Sequence, residues 1–536
     1  MRSKQVRFLP WRRGVRLCAW LALSTGGAGG LSGCMYAEDC ADERMCLAPP
    51  KSPCEVIEPG AGPVMDECGV FVRASAPDDA PRAGTRAEPF TSLQDAIAAA
   101  RARGLRHVYA CGETFQEEVT LTSGIHLWGA RRCDDGGWSY AWAFDGPNAP
   151  TVIAPPVGIP LRVAADDAAT SVIFGVRAVA ADASARDGKS SIAMILSPGA
   201  RAIVRAGAIV AGNGKDGEPG EDMPIERATG GELGNDGTNA CTADVVTGAL
   251  PVVTVCEDGI ESMGGYGGDG GLDAGGDGEP GQPEPAENPE GNGRAGVGAD
   301  LTECTDGKAG ADGADAGRAG GAVGAGHLDI DGWIGVRGEH GKRGGAGQGG
   351  GGGGGSKSRG PMVACRAGGP QGGAAGGSGG SGGCGGRGGG GGGYGGASLG
   401  IIALQGSVLT LEATKVTAGH GGRGGVGGTG QPGGAGQWGG HGGRGFAGSW
   451  NACDGGKGGD GGRGGDAGGG LGGPSIGVAS LGATVTIGFS ATLEHGRGGE
   501  GGLAGNAAPH EEEGKGAPGD AVPYRQFDGP DPLPPR

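Results

Sequence analysis

Ser191-Ile-Ala-Met-Ile-Leu-Ser-Pro-Gly199 returns as Ser398-Leu-Gly-Ile-Ile-Ala-Leu-Gln-Gly406 and, one residue shorter, as Ser475-Ile-Gly-Val-Ala-Ser-Leu-Gly482. A second β-branched stretch follows each copy: Ile203-Val204 to Ile209-Val210, Val408 to Val416, and Val485 to Thr492. Each then runs into Gly212-Asn-Gly214, Gly419-His-Gly421 or Gly496-Arg-Gly498. A two-strand unit repeated at long, unequal intervals is structural, because each copy buries its apolar face only against its sisters. The glycine tracts between copies are then insertions leaving one corner of a stacked scaffold. The repeat organises a fold and names no reaction.

Composition sets bounds on that fold. Of 536 residues, 134 are Gly and 33 are Pro, and aromatic residues make up only 4%. Such a chain builds no single large core. Its apolar material gathers in residues 70–211 and in the two later copies. Formal net charge is −17, although residues 1–33 carry six Lys/Arg and no acid. Phosphate binding needs a basic footprint, so a nucleic-acid partner is disfavoured. The acidity keeps a glycine-rich surface soluble and would collect divalent cations only loosely.

The amino terminus reads as an export signal over residues 1–33. Arg2, Lys4, Arg7, Arg12, Arg13 and Arg16 precede the short apolar run Leu17-Cys-Ala-Trp-Leu-Ala-Leu23, which is too short to span a bilayer. Leu31-Ser-Gly-Cys34 resembles the bacterial lipobox, which implies cleavage before Cys34 and its acylation. Met35 after that cysteine implies the outer membrane if the host is Gram-negative. The membrane, reached through the lipid anchor, is therefore an expected partner.

Cysteine usage agrees with export. Setting aside Cys18 and Cys34 leaves an even set for disulfides. Cys40, Cys46, Cys54 and Cys68 fall in a Cys-rich segment over 34–69 and read as two staples. Cys111 with Cys133 and Cys241 with Cys256 are expected pairs. Cys304, Cys365, Cys384 and Cys453 remain unassigned. None has zinc spacing, so neither metal nor cofactor is expected.

Thr91-Ser-Leu-Gln94 has the form of a capping box and predicts an amphipathic helix over 92–103, with Leu93, Ile97 and Ala100 on one face and Gly104 as stop. Short β-branched runs follow every eight to twelve residues: His107 to Cys111, Glu118 to Leu121, Ile125 to Gly129, Thr151 to Ile153, Leu161 to Val163, and Ser171 to Phe174. That spacing predicts coils of sheet rather than βαβ units. Pro89-Phe-Thr-Ser-Leu-Gln-Asp-Ala-Ile97, Val108-Tyr-Ala-Cys-Gly-Glu-Thr-Phe115 and Val119-Thr-Leu…Ile125-His-Leu-Trp-Gly129 resemble the entry of pectin-lyase-like right-handed parallel β-helix proteins. With the lipobox and the glycine tracts, the whole chain resembles glycine-rich, PGRS-type bacterial surface lipoproteins. The resemblance implies a mainly β fold, a right-handed parallel β-helix with an N-terminal capping helix over 70–211 and rungs at 397–418 and 474–495. Long glycine-rich insertions then occupy 212–396 and 419–473, and 496–536 reads as a disordered tail rich in glycine, acid and proline.

From Gly421 to Gly448 every third residue is Gly. A period of three fits a polyproline-II-type helix with one face bare for neighbouring backbone. Collagen shares the period but needs far more proline. The tracts therefore read as a polyglycine-II-like bundle folded back and forth within one chain, with disorder as the alternative. Residues 351–355, five glycines in a row, read as disordered either way.

Candidate chemistry is sparse. Trp138, Tyr140 and Trp142 alternate along an expected strand, just after Arg131, Arg132, Asp134 and Asp135, and share one face. That face either stacks on sugar rings or fills the scaffold interior; the second is the ordinary fate of such a pattern. Asp166, Asp167, Asp182 and Asp187 are scattered near expected turns and form no lyase-type carboxylate cluster. Gly264 to Gly271 and Gly455 to Gly462 approach a calcium-binding nonapeptide around Asp269 and Asp460, yet lack its large apolar residue. No catalytic constellation emerges. The chain is expected to be a non-enzymatic, lipid-anchored cell-surface monomer with a structural, adhesive or envelope-associated role. The alternative is a carbohydrate-binding or polysaccharide-degrading protein with surface polysaccharide as its partner.

Overall fold

The computed structural model describes Cys54 and residues 64–77, 81–133, 136–140, 150–166, 169–184, 190–360 and 362–528. Apart from Cys54, these lie in one compact unit, Val56–Arg536. Cys34, Cys40, Cys46, Trp142, Asp134, Asp135, Asp167 and Asp187 lie outside the described residues.

The fold is mainly β, with one helix among the described residues, α1 (Leu93–Ala102). Three parallel sheets hold the apolar sequence. Sheet A orders Gly69–Val72, His107–Cys111, His126–Arg132, Ser171–Phe174, Arg201–Arg205, Val408–Glu412 and Thr484–Ile487. Sheet B orders Thr114–Phe115, Thr151–Ile153, Val176–Val179, Ala208–Val210, Lys415–Thr417 and Thr492–Glu494. Sheet C orders Val119–Thr122, Leu161–Ala164, Ser191–Leu196, Ser398–Ala403, Ser475–Leu481 and Ala521–Phe527. The chain enters C, A and B in turn, so each repeat copy gives one strand to every sheet. The three copies stack in register, Ser191 beside Ser398 beside Ser475.

Inward residues form ladders across the strands. In sheet A, Val70, Val108, Leu127, Ile173, Val204 and Leu411 succeed one another, all fully buried. Each such side chain contributes about 1.5–3 kcal/mol by leaving water. The three repeat strands of sheet C are buried on both faces, which explains why the repeats read as unbroken apolar runs rather than alternating ones. Their outer face is covered by the hairpin His327–Asp329 with Gly332–Ile334, which lays Leu328 and Trp333 against Ile195, Leu399 and Ile402.

α1 begins one residue later than the sequence suggested. Ser92, not Thr91, is the N-cap, its hydroxyl accepting the Asp95 N–H at 3.2 Å. The Glu117 carboxylate accepts the Leu93 N–H at 2.7 Å, a favourable charge at a helix start. Gln94 closes no capping box; its Oε1 accepts the Thr120 N–H at 2.7 Å, on the first strand of sheet C.

The glycine tracts form a bundle of extended segments joined by backbone hydrogen bonds at every third residue. Gly214, Gly217 and Gly220 donate to His420, Arg423 and Val426; Gly422, Gly425 and Gly428 donate to Gly396, Gly393 and Gly390. Three residues per turn is what an extended helix of the polyproline-II kind gives. Residues 351–355 are not disordered. They are buried, and their amides donate in rotation to Lys308, Glu279, Gly377, Thr305 and Gly276. The tail also departs from expectation: Ala521–Phe527 is the last strand of sheet C, because Val522 and Tyr524 stack on Ile476 and Val478.

Disulfides tie this bundle. Cys241 joins Cys365 and Cys256 joins Cys384, so the expected Cys241–Cys256 pair does not form; proximity in the chain lost to proximity across the bundle. Cys304 joins Cys453, and Cys111 joins Cys133. Cys54 and Cys68 are also disulfide-bonded. Bridges in this number form and persist in oxidising compartments, which marks an exported protein. No helix among the described residues is long and apolar enough to cross a membrane.

Candidate functional site

The densest grouping of aromatic and titratable side chains lies on the outer face of sheet A. Phe71, Tyr109, Trp128 and Phe174 occupy successive strands at matching register. A β-bulge interrupts that register: Tyr109 pairs with Trp128 but Cys111 with Arg131, leaving one extra residue, and Ala130 takes φ 55°. The buried Thr151 hydroxyl plugs the gap, accepting the Ala130 N–H at 3.0 Å and donating to Cys111 O at 2.7 Å. The bulge re-aims Arg131 outward beside Trp128. Its guanidinium carbon sits 5.4 Å from the Tyr109 ring centre and 5.7 Å from those of Trp128 and Tyr140.

Trp138 roofs this cluster and is only 1% exposed, edge-on to Phe71 at 4.9 Å. Its carbonyl accepts from Arg131 Nη1 at 3.4 Å. Tyr140 is half-buried against Phe174, 5.1 Å between ring centres. Of the two fates open to this face, Trp138 takes neither: it is buried, but over the outer side of sheet A rather than in the scaffold interior. Burial pushes the Tyr109 phenol up to about 12, opposed by Arg131. Burial likewise lowers Arg131, partly offset by Tyr109 and Tyr140. His126 is pushed down to about 4, chiefly by burial and then by His107 and Arg106; its Nδ1 accepts the Val172 N–H at 3.0 Å. This is a packed cation among rings, tying together the outer face of sheet A.

The other candidate is a groove of about 740 Å³ over the outer face of sheet B. Its floor is small and β-branched, with Ala208, Val210, Thr417 and Thr492, and Arg177 and Lys415 rise from strands two apart, ~10 Å at the backbone. Among the described residues no carboxylate lines it, although Glu494 pairs with Lys415 at 2.9 Å beside it.

The acidic residues of the tracts are engaged elsewhere. Asp216 Oδ1 accepts the Arg423 N–H at 2.7 Å while the Gly217 N–H donates to Arg423 O at 2.7 Å, so two adjacent groups grip one residue of the neighbouring segment. Asn213-Gly214 grips His420 the same way, Asp222-Met223 grips Thr429, Asp236-Gly237 grips His441, and Asp312-Gly313 grips Asp460. Sequence reading missed these clamps, although an Asx just before a donor residue at three-residue spacing is their signature. Both aspartates of the calcium-like stretches are acceptors of this sort: Asp269 takes the Gly248 N–H at 2.7 Å and Asp460 the Gly436 N–H at 3.1 Å. Asp182 clamps Asn213, and Asp166 pairs with Arg101 at 2.6 Å. Among the described residues no cluster of His, Cys, Asp and Glu is arranged to hold a metal.

Compared with protein-family models, curated proteins and solved structures, the chain matches none. The resemblance to PGRS-type surface lipoproteins with a pectin-lyase-like right-handed β-helix is accordingly corrected. No relative supports it, and the described residues form three parallel sheets, two small antiparallel hairpins and a hydrogen-bonded glycine bundle.

Proposed function

We propose that this is a non-enzymatic envelope protein whose three-sheet coil, carrying ordered glycine-rich excursions, acts as a stiff structural or adhesive element, lipid-anchored through Cys34. One observation carries the reading: the side chains best suited to chemistry in the tracts are consumed as clamps on neighbouring backbone. A surface so committed offers shape and rigidity rather than a reaction. Incorporation of labelled palmitate that disappears in Cys34→Ser tests the anchor; labelling that persists removes it. For the role, cells carrying Gly352→Asp, which breaks the bundle, are expected to lose adhesion or envelope integrity. Normal behaviour of those cells removes the structural reading.

The groove over sheet B favours a second reading, carbohydrate binding. Among the described residues its lining holds Arg177 and Lys415, the latter paired with Glu494 at the rim, in a chain of net charge −17, so Arg177 is the cation that would meet an acidic glycan. Loss of glycan-array binding in Arg177→Ala with Lys415→Ala, with melting unchanged, would favour it over the first.

A further inference from the structure

The two ends of the three-sheet stack are finished differently. At the amino-terminal end, Phe71 N donates to Gly84 O at 3.0 Å and Arg73 N to Phe90 O at 2.8 Å along the edge of sheet A. Gln94 covers sheet C, and Leu93, Ile97 and Ala100 of α1 close the interior. At the other end the last strands are Thr484–Ile487, Thr492–Glu494 and Ala521–Phe527. Among the described residues no backbone–backbone hydrogen bond reaches their outer edges. The inner ladders also surface there. Ile487 continues the fully buried row ending in Leu411 yet is 44% exposed, Tyr524 continues the row of Met194, Ile401 and Val478 yet is 38% exposed, and Leu493 is only partly buried. Phe489, beside them, is fully exposed.

We propose that this end face is an interface between two copies of the chain, joined end to end about a two-fold axis. An extended peptide adds one strand to one sheet and would leave two edges bare; a second end face brings three edges at the same spacing. An axis through the middle of sheet A lays Thr484–Ile487 antiparallel to its own copy, and Thr492–Glu494 against Ala521–Phe527 of the other copy. The first pairing is uncharged Thr-Val-Thr-Ile, without the Lys or Pro that blunts exposed edges. The second brings the Lys415–Glu494 pair alongside the Asp520–Arg525 pair of the other copy, with Glu494 on the side of Arg525. An axis through sheet C would instead oppose Arg525 to its own copy and place Pro523, which has no N–H, on both sides.

Sedimentation equilibrium of the full chain across the micromolar range tests this. A concentration-dependent dimer is expected. Ile487→Lys and Glu494→Arg should each weaken it about ten-fold or more with the melting midpoint preserved. Adding Arg525→Glu to Glu494→Arg should restore it, a readout that simple destabilisation would not give. A monomer at every concentration overturns the proposal, and so does a dimer indifferent to these changes. If the exchange fails to restore association, the axis is wrong.

Discussion

Arg423 illustrates how single residues build the bundle. Its backbone is gripped by Asp216 and Gly217 at once while its side chain stays outside. Glycine content follows the same geometry. The segment from Gly214 to Gly220 has one Gly per three residues; the segment from Gly421 to Gly428 has two, one set donating to Arg497, Glu500 and Leu503 and the other to Gly396, Gly393 and Gly390. Gly349 to Gly355 are all glycine and donate to three neighbours in rotation. Glycines per turn thus count the packed sides. A methyl on Gly352 would fall on the carbonyl oxygen of Tyr266, whereas Val426 points outward and is 46% exposed. Gly352→Ala should therefore cost about 3 kcal/mol or more, and Val426→Ala within about 0.5 kcal/mol, by urea denaturation. Asp216→Ala should cost about 0.5–1.5 kcal/mol, since the exposed Arg423 N–H exchanges its carboxylate acceptor for water. His126 sets a pH dependence. Its folded value, about 4 against an ordinary 6.5, means the unfolded chain holds the proton more tightly. Stability should rise with pH between these values and level off above, the loss at the acid end reaching about 3 kcal/mol at most. His107, lowered by burial, acts in the same direction. Urea midpoints measured against pH should flatten in His126→Gln; an unchanged slope would assign the effect to other groups.

At the scale of elements, the serine opening each repeat copy is a root for the tracts. Ser191 Oγ accepts the Gly212 N–H at 2.9 Å, Ser398 Oγ donates to Gly212 O at 2.6 Å, and Ser475 Oγ donates to Gly419 O at 2.6 Å and accepts the Gly496 N–H at 2.8 Å. The hydroxyl thereby fixes where strand ends and glycine segment begins. Trp138→Ala should cost about 3–5 kcal/mol through the cavity left over sheet A. Glycan binding, if present, should survive that substitution, since the ring is not exposed. The bundle bridges enclose long loops, with Cys256 and Cys384 separated by 128 residues. Replacing both by Ser should lower stability by about 5 kcal/mol on the chain-entropy account. A change near zero would show that the clamps alone hold these segments.

For the whole molecule, sequence periodicity determined that the three copies are strands of one stack and that the tracts repeat every third residue. Both follow from local chemistry: β-branched runs bury against their like, and glycine removes the Cβ that would keep backbones apart. Tertiary structure alone decided which segments are neighbours. Cys241 lies 15 residues before Cys256 yet bonds Cys365, because hydrogen bonds at every third amide bring distant segments closer than chain proximity does. The same holds for Trp138, whose alternation with Tyr140 suggested a shared strand: the strand is Ser139–Tyr140 alone, and Trp138 turns out of it at φ 51° to lie over sheet A, beside the bulge and the Cys111–Cys133 bridge. Periodicity is carried by each segment itself, whereas partner choice depends on contacts that exist only once the chain has closed upon itself.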